Sequence, residues 1–559
     1  MAARIARMAP LHSAALAAAA LWLIGACGGC GPSRSPAPPA ATEPAPPQGR
    51  VMPAVSEDVR EQLLDGAVAV LDRLEDYDEE AAYAQVFDRL NQWSHAAGPA
   101  GLKVDGWRVD PLLAGLPSRL RDAVKAESLG SEVFDVGSDV TAIRDQRWLA
   151  GIAAMARGDA VEDLAIAVNL FRWTVRSLAL VSDPPMVATD ATPGSRWFLT
   201  GEILLSGRAS PAQRSWVFLQ LLRHAGLDGV MLATGDPDRG GVRPWVPALI
   251  SGGEAWLFEP TYGMPIPGPD GTEVATARQA VADPSILERL SFPDRRYPVQ
   301  AADMEGLWVL VAADPWSLSK RMAAVEAQLV GARATELAVD AAAVADRAAR
   351  AVPAAAAAAE PRTALWEFPW EVLVRRKAEP SRTRAAVSGE LAVMSATLAQ
   401  GTGVDREGRG GTRLVRPLYA ARLREFRGQW DGPDGAKVSY LAARPGRQSI
   451  AEAVTRVPPE QADAVRRLFE QMKEDATYWL GALTLAEGDF GTAVDYLGRM
   501  TLESSPDSRW ADAARTNLAR ACIGLGRTDE AVTLLRADAS PQRFGSRFLA
   551  DELQNAGKR

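Results

Sequence analysis

At 559 residues and a net charge of −8, the chain has length for roughly three or four domains, and its acidic balance speaks against a nucleic-acid partner. Hydrophobic residues make up 47% and charged residues 24%, an ordinary globular composition that excludes a fibrous or low-complexity chain. The three cysteines, Cys27, Cys30 and Cys522, offer no disulfide framework, so stability must come from a core.

The first stretch reads as an export signal. Arg4 and Arg7 supply a charged start, Ala14 to Ile24 an apolar centre, and small residues the end. The apolar part is short for a spanning helix, which needs about 20 residues. The plain reading is an ordinary cleaved signal or a single N-terminal anchor helix. Ile24-Gly25-Ala26-Cys27 resembles the bacterial lipoprotein signal, which is cut before a cysteine that is then acylated. The resemblance implies a signal over 1–26, a lipid on Cys27, and a body held in the cell envelope outside the cytoplasm. Gly31 to Arg50 carries seven prolines and suits an extended spacer, so 27–54 is expected to be a tether.

From 55 to 182 the pattern is helical, strongest over Val59–Leu74 and Val161–Leu178, where apolar residues recur at helical spacing. His95, near a helix end, reads as a surface or hydrogen-bonded core residue rather than a base. The next stretch organises the rest. Ser210 is a good N-cap, Pro211 suits the first helical position, Gln213 completes a capping box and Gly226 stops the helix. Trp216, Val217, Leu219, Leu221 and Leu222 make one thick apolar side, and His224 sits in the last turn, where a cation suits the helix dipole. Three strand-like runs follow: Val230–Ala233, Val242–Ile250 and Ala255–Gly263.

A helix followed by short strands that end in Trp256-Leu-Phe-Glu259-Pro260-Thr261 resembles the transglutaminase-like core of the papain-type superfamily. That resemblance implies a core over 183–300 and places a nucleophilic Cys, a His and an Asp. Here those three places fall on Pro211, Arg243 and Glu259. Pro211 has no nucleophilic atom and Arg243 stays protonated, so thiol chemistry is not expected. The register facing Arg243 to Glu259 predicts an ion pair between them. Ser210, Arg214, Trp216, Trp245 and Tyr262 are the residues expected to line what remains of the cleft.

Residues 301–455 read as helices with loops. The Trp366–Trp370 cluster is expected to pack locally, and Gly401–Gly411 to be a flexible loop, because it lacks the Gly-Lys-Ser/Thr end of a phosphate loop. Beyond it, Leu480-Gly481, Gly488, Ala493 and Leu497 recur as Leu518-Ala519, Gly526, Ala531 and Leu535, each offset by 38 residues. This pattern resembles the tetratricopeptide repeat over 456–559, with the added length expected in Ser504–Trp510. Cys522 falls in a repeat helix, where a small buried hydrophobe is expected.

The expected fold class is α+β, predominantly helical. The expected function is a non-catalytic, membrane-anchored envelope scaffold whose partner is a protein or peptide, with no cofactor and no metal spacing. The alternative is a hydrolase or acyl transferase that uses Glu259, Ser210 or Ser215 in the cleft.

Overall fold

The computed structural model describes residues 57–124, 126–182, 198–236, 241–271, 273–353, 362–378, 391–404 and 410–556. The signal, Cys27 and the tether lie outside them. The fold is α+β and predominantly helical, with helical repeats at the C-terminal end.

Two short strands, β1 (Ala179–Leu180) and β2 (Arg208–Ala209), pair in parallel, and the centre of the fold is a six-stranded sheet. The strands are β3 (Asp228–Asp236), β4 (Gly241–Ser251), β5 (Glu254–Glu259), β6 (Met264–Pro265), β7 (Trp308–Val311) and β8 (Arg362–Leu365), in the order β6-β5-β4-β3-β7-β8. All neighbours are antiparallel except β7 and β8. Alternation explains the run Val230–Ala233. Val230 and Leu232 enter one apolar cluster, Met231 and Ala233 the other. With both faces covered, the strand needs apolar residues at every position.

The first face packs against the helix Pro211–His224, with Phe258 of β5 4.9 Å from Phe218 and 5.1 Å from Phe171 between ring centres. Phe171 belongs to the helix Asp163–Ser177. Helices Ala277–Ala282 and Ala341–Ala351 contribute buried alanines to the cluster on the second face. In Ala341–Ala351 the buried residues Ala341, Ala345, Ala348 and Ala351 fall at helical spacing; alanine suits a helix and lets it lie close to the sheet.

The sheets depart from the sequence reading in two places. The sheet does not end at residue 300, because β7 and β8 come from the stretch assigned to helices and loops. Trp308–Val311 is four residues long, too short to separate from a buried helix segment by periodicity. Gly401–Gly411 is not a plain loop: Leu398–Val404 and Gly410–Val415 pair as the antiparallel strands β9 and β10. Trp366 and Trp370 are buried as expected, and Trp370 donates from Nε1 to the Ala313 carbonyl at 2.8 Å.

The repeats occupy the C-terminal end. A long helix, Pro459–Glu487, ends at Gly488 with φ +81°, and the next, Ala511–Gly524, is followed by Gly526 with φ +73°. Both glycines occupy the left-handed region that side chains resist. The second helices differ in length. The first hairpin has five α-helical residues, Phe490–Val494, that continue as nine in π geometry, Asp495–Glu503; the second has only Thr528–Arg536. Ser504–Trp510, where the added length is expected, is the non-helical stretch that joins the first hairpin to the second. That segment carries Trp510, which is fully buried, stacks on Tyr478 at 4.3 Å and donates to Asp475 at 2.6 Å. A tryptophan serving the core explains why the segment is not a free insertion.

Candidate functional site

The capping box at the start of the helix Pro211–His224 forms as expected. Ser210 Oγ accepts from the Gln213 amide at 3.4 Å, and the Ser210 amide donates to Gln213 Oε1 at 2.9 Å. Ser210 is completely buried, and Ser215 donates to the Pro211 carbonyl. Both hydroxyls are thus used in holding the helix.

Arg214 is 1% exposed and ties three segments together. Its Nε and Nη2 donate to the Leu178 carbonyl at 2.9 and 2.6 Å, and its Nη1 to the Pro260 carbonyl at 3.0 Å and to Gln542 Oε1 at 2.9 Å. Leu178 is where the helix Asp163–Ser177 ends, and a cation there complements the outgoing carbonyls.

Glu259 lies on the other side of the sheet. Phe258 faces the helix Pro211–His224, so its neighbours Leu257 and Glu259 face away. Tyr297 Oη donates to Glu259 Oε2 and accepts from Trp245 Nε1 at 3.0 Å, and the Thr261 amide donates to Glu259 Oε1 at 2.8 Å. Tyr262 stands edge-on to Tyr297 with ring centres 5.7 Å apart and donates to the Leu290 carbonyl at 2.8 Å. Burial raises the Glu259 carboxyl pKa, against the bonds from Tyr297 and Thr261 that lower it, and burial raises that of Tyr297 well above its usual value.

The three motif positions therefore do not meet. Pro211 begins a helix on one face, Glu259 is buried on the other, and Arg243 is exposed beside Thr234, five residues along β4 from Ala248, the partner of Leu257. The expected ion pair is not made: among the described residues none joins Arg243 to Glu259, whose partners are Tyr297 and Thr261. The physical reason is position along the strand: Leu257 of β5 pairs with Ala248, and Arg243 lies well beyond that point, opposite Thr234, while Trp245, at the register shift between Leu232 and Ala233, is the β4 residue that reaches Tyr297. Nor do the five expected cleft residues share one cleft. Trp216 is buried against Phe368 at 5.8 Å, Trp245 and Tyr262 gather around Tyr297, and Ser210 and Arg214 serve the helix end.

His224 also differs from expectation. Nε2 meets Gln146 Oε1 at 2.9 Å, and Arg223 Nη2 donates to the same oxygen at 2.8 Å. Burial first, then Arg223 and Arg147, hold the His224 pKa well below its usual value. The ring is neutral, so it adds no charge to the helix end. His95 is exposed, and Cys522 is buried, its thiol pushed up to about 11 chiefly by burial. No group of three or more His, Cys, Asp or Glu side chains suited to a metal occurs among the described residues. None of the described helices is long and apolar enough to cross a membrane. Sequence reasoning missed Tyr297, Gln146 and Asp475. Each is a lone polar residue whose partner lies far along the chain, so no local spacing marked it.

The repeats close onto this core through the first helix of each hairpin. Trp479 lies against Gly207, where an added Cβ would overlap the indole. Asn517 Nδ2 donates to the Arg176 carbonyl at 3.1 Å. Gly545, in the helix Arg543–Ala556, meets the Tyr262 carbonyl so closely that a Cβ would overlap it. Inside the hairpins, Gly481 lies against Leu497, and Ala493 and Ala531 are both fully buried. Residues 484–547 match the family model described as tetratricopeptide repeat. A repeat of that type is found here. No curated protein and no solved structure matches the chain. The tetratricopeptide repeat thus presents its first-helix layer to the chain's own core, and the second helices form the outer layer.

Proposed function

We propose that the protein is a non-catalytic scaffold of the cell envelope, anchored through a lipid on Cys27, that binds a protein or peptide partner. The observation carrying this reading is the tetratricopeptide repeat at residues 484–547, an architecture whose stacked hairpins offer extended binding surfaces. Because the first-helix layer covers the core, the partner surface in this reading is the outer layer, Phe490–Glu503 and Thr528–Arg536. In this reading the central region is a transglutaminase-like core that has lost its chemistry. The order of helix Pro211–His224 and antiparallel β3, β4 and β5 supports the likeness. The absent nucleophile at Pro211, the hydroxyls of Ser210 and Ser215 engaged in the helix, and the buried bonds of Glu259 support the loss.

The test is photo-crosslinking from the outer layer in envelope-bearing cells, comparing the wild type with Arg499→Glu combined with Arg527→Glu, two exposed positions. A discrete crosslinked partner that the double variant loses supports the scaffold. Cys27→Ser should shift the protein out of the membrane fraction or leave its signal uncleaved. Release of ammonia or amine from glutamine and peptide substrates by purified wild type, abolished by Glu259→Gln or Ser210→Ala, would overturn the non-catalytic reading.

A further inference from the structure

The seam between core and repeats gathers more positive charge than its protein neighbours balance. The helix Asp163–Ser177 brings Arg176, with Arg172 on its exposed side, the helix Pro211–His224 brings Arg214, and Ala511–Gly524 brings Arg520. Asn517 links two of them, donating to the Arg176 carbonyl and accepting from Arg520 Nη1 at 2.9 Å. Arg214 bonds only neutral oxygens, and none of the four arginines pairs with a carboxylate among the described residues. The crowding acts on two of them, Arg214 and Arg520. Burial, then Arg520, brings Arg214 down to about 9, and burial, then Arg176, brings Arg520 down to about 10. The end of the helix Asp163–Ser177 supplies the equivalent of about half a negative charge, too little to balance the guanidinium groups of Arg176, Arg214 and Arg520.

Beside this cluster opens a cavity of about 250 Å³, lined by Arg214, Arg509, Thr516, Asn517 and Ser540 among others. Arg509 uses Nε and Nη2 on Asp475, which leaves Nη1 for another acceptor. The one carboxylate in the lining, Asp512, is engaged by Arg515 at 3.1 Å. Arg509 Nη1 and the Ser540 hydroxyl, whose oxygen accepts from the Gln542 amide, face the space as donors, and its size suits a compact ion rather than a chain.

We propose that this cavity binds a small multivalent oxyanion of the phosphate or sulfate class, which bridges the core and the repeats. Charge and shape act together. Arg509 Nη1 and the Ser540 hydroxyl offer hydrogen bonds from the repeat side, while Arg214 and Arg520 supply the field in a setting where water screens little. The site is independent of the scaffold reading, since it is built from seam residues and not from the outer layer.

The experiment is calorimetric titration of the purified full-length protein with inorganic phosphate, and separately sulfate, in buffer held at constant ionic strength with chloride. One saturable site per chain is expected, with a melting temperature that rises with phosphate and not with matched chloride. Arg520→Gln should weaken phosphate binding at least tenfold. Thr516→Glu gives up only the hydroxyl's bonds to the Asp512 and Ala513 carbonyls of its own helix and places a carboxylate in the cavity, so it should abolish binding and raise the melting temperature without phosphate. Equal response to phosphate and chloride in the wild type overturns the proposal. So does a folded Thr516→Glu protein, checked by circular dichroism, that binds phosphate like the wild type.

Discussion

Tyr297 joins Trp245 of β4 to Glu259 of β5 through a single hydroxyl, so its removal leaves the half-buried Trp245 Nε1 donor and the buried Glu259 Oε2 without that partner. Tyr297→Phe is expected to cost on the order of 3 kcal/mol, since each buried polar group left unmade costs about 1–3 kcal/mol. Urea denaturation reads this; a loss within a few tenths of the wild type would remove Tyr297 from its place as the link. His224 carries a pH dependence. Its folded pKa lies well below the usual value near 6.5, so the unfolded chain takes up a proton that the folded chain refuses. Its contribution to stability is therefore present above about pH 6.5 and is lost as pH falls below it. His224→Gln keeps a donor for Gln146 and should flatten the fall in urea midpoint between about pH 7 and pH 5. Identical slopes in the two proteins would refute this assignment.

At the scale of elements, the seam depends on glycines that let the repeats approach the core. Gly545 lies in a helix, so its φ imposes no demand; what it provides is room for the Tyr262 carbonyl. A Cβ there cannot be absorbed by a rotamer change, because the obstacle is backbone. Gly545→Ala is expected to cost roughly 1–3 kcal/mol by overpacking and to expose the junction near residues 537–542 to protease. Limited proteolysis with mass spectrometry tests it, and an unchanged cleavage pattern would show that the last helix can shift without loss. Neither this contact nor the one between Gly207 and Trp479 has a local signature. Gly207 reads in sequence as a helix stop, which it is, with φ +63°, but the indole against it comes from far along the chain.

The whole molecule is stitched by contacts of great sequence separation. Arg214 bonds Gln542, Arg321 bonds Asp139 at 2.7 and 2.8 Å, and Arg427 bonds Glu75. Phe469, Trp479 and Trp510 of the repeat region share one apolar cluster with Leu64 and Trp148 near the other end. The C-terminal repeats are therefore not an independent module. The full chain should melt in one calorimetric transition, and a fragment of residues 456–559 should lack cooperative unfolding, since it would leave the faces of Trp479, Asn517 and Phe544 in water. Two well-separated transitions, or a fragment that melts cooperatively, would contradict this.

What the residues alone determined are features carried by neighbours in the chain. The cap at Ser210 and Gln213, the stop at Gly226, the repeat glycines Gly488 and Gly526, and the buried pairs Ala493 with Ala531 and Leu497 with Leu535 were all legible, because helix ends and helix periodicity are local. The tertiary structure decided the rest. It gave β7 and β8 to the sheet, brought Trp245 to Tyr297 at a bulge, set Glu259 on the face away from Pro211, and turned the first-helix layer of the repeats onto the core. A one-residue shift in a strand exchanges its two faces, and partners many tens of residues apart leave no spacing to read. Which side of the sheet a carboxylate occupies is thus settled only when both layers have packed.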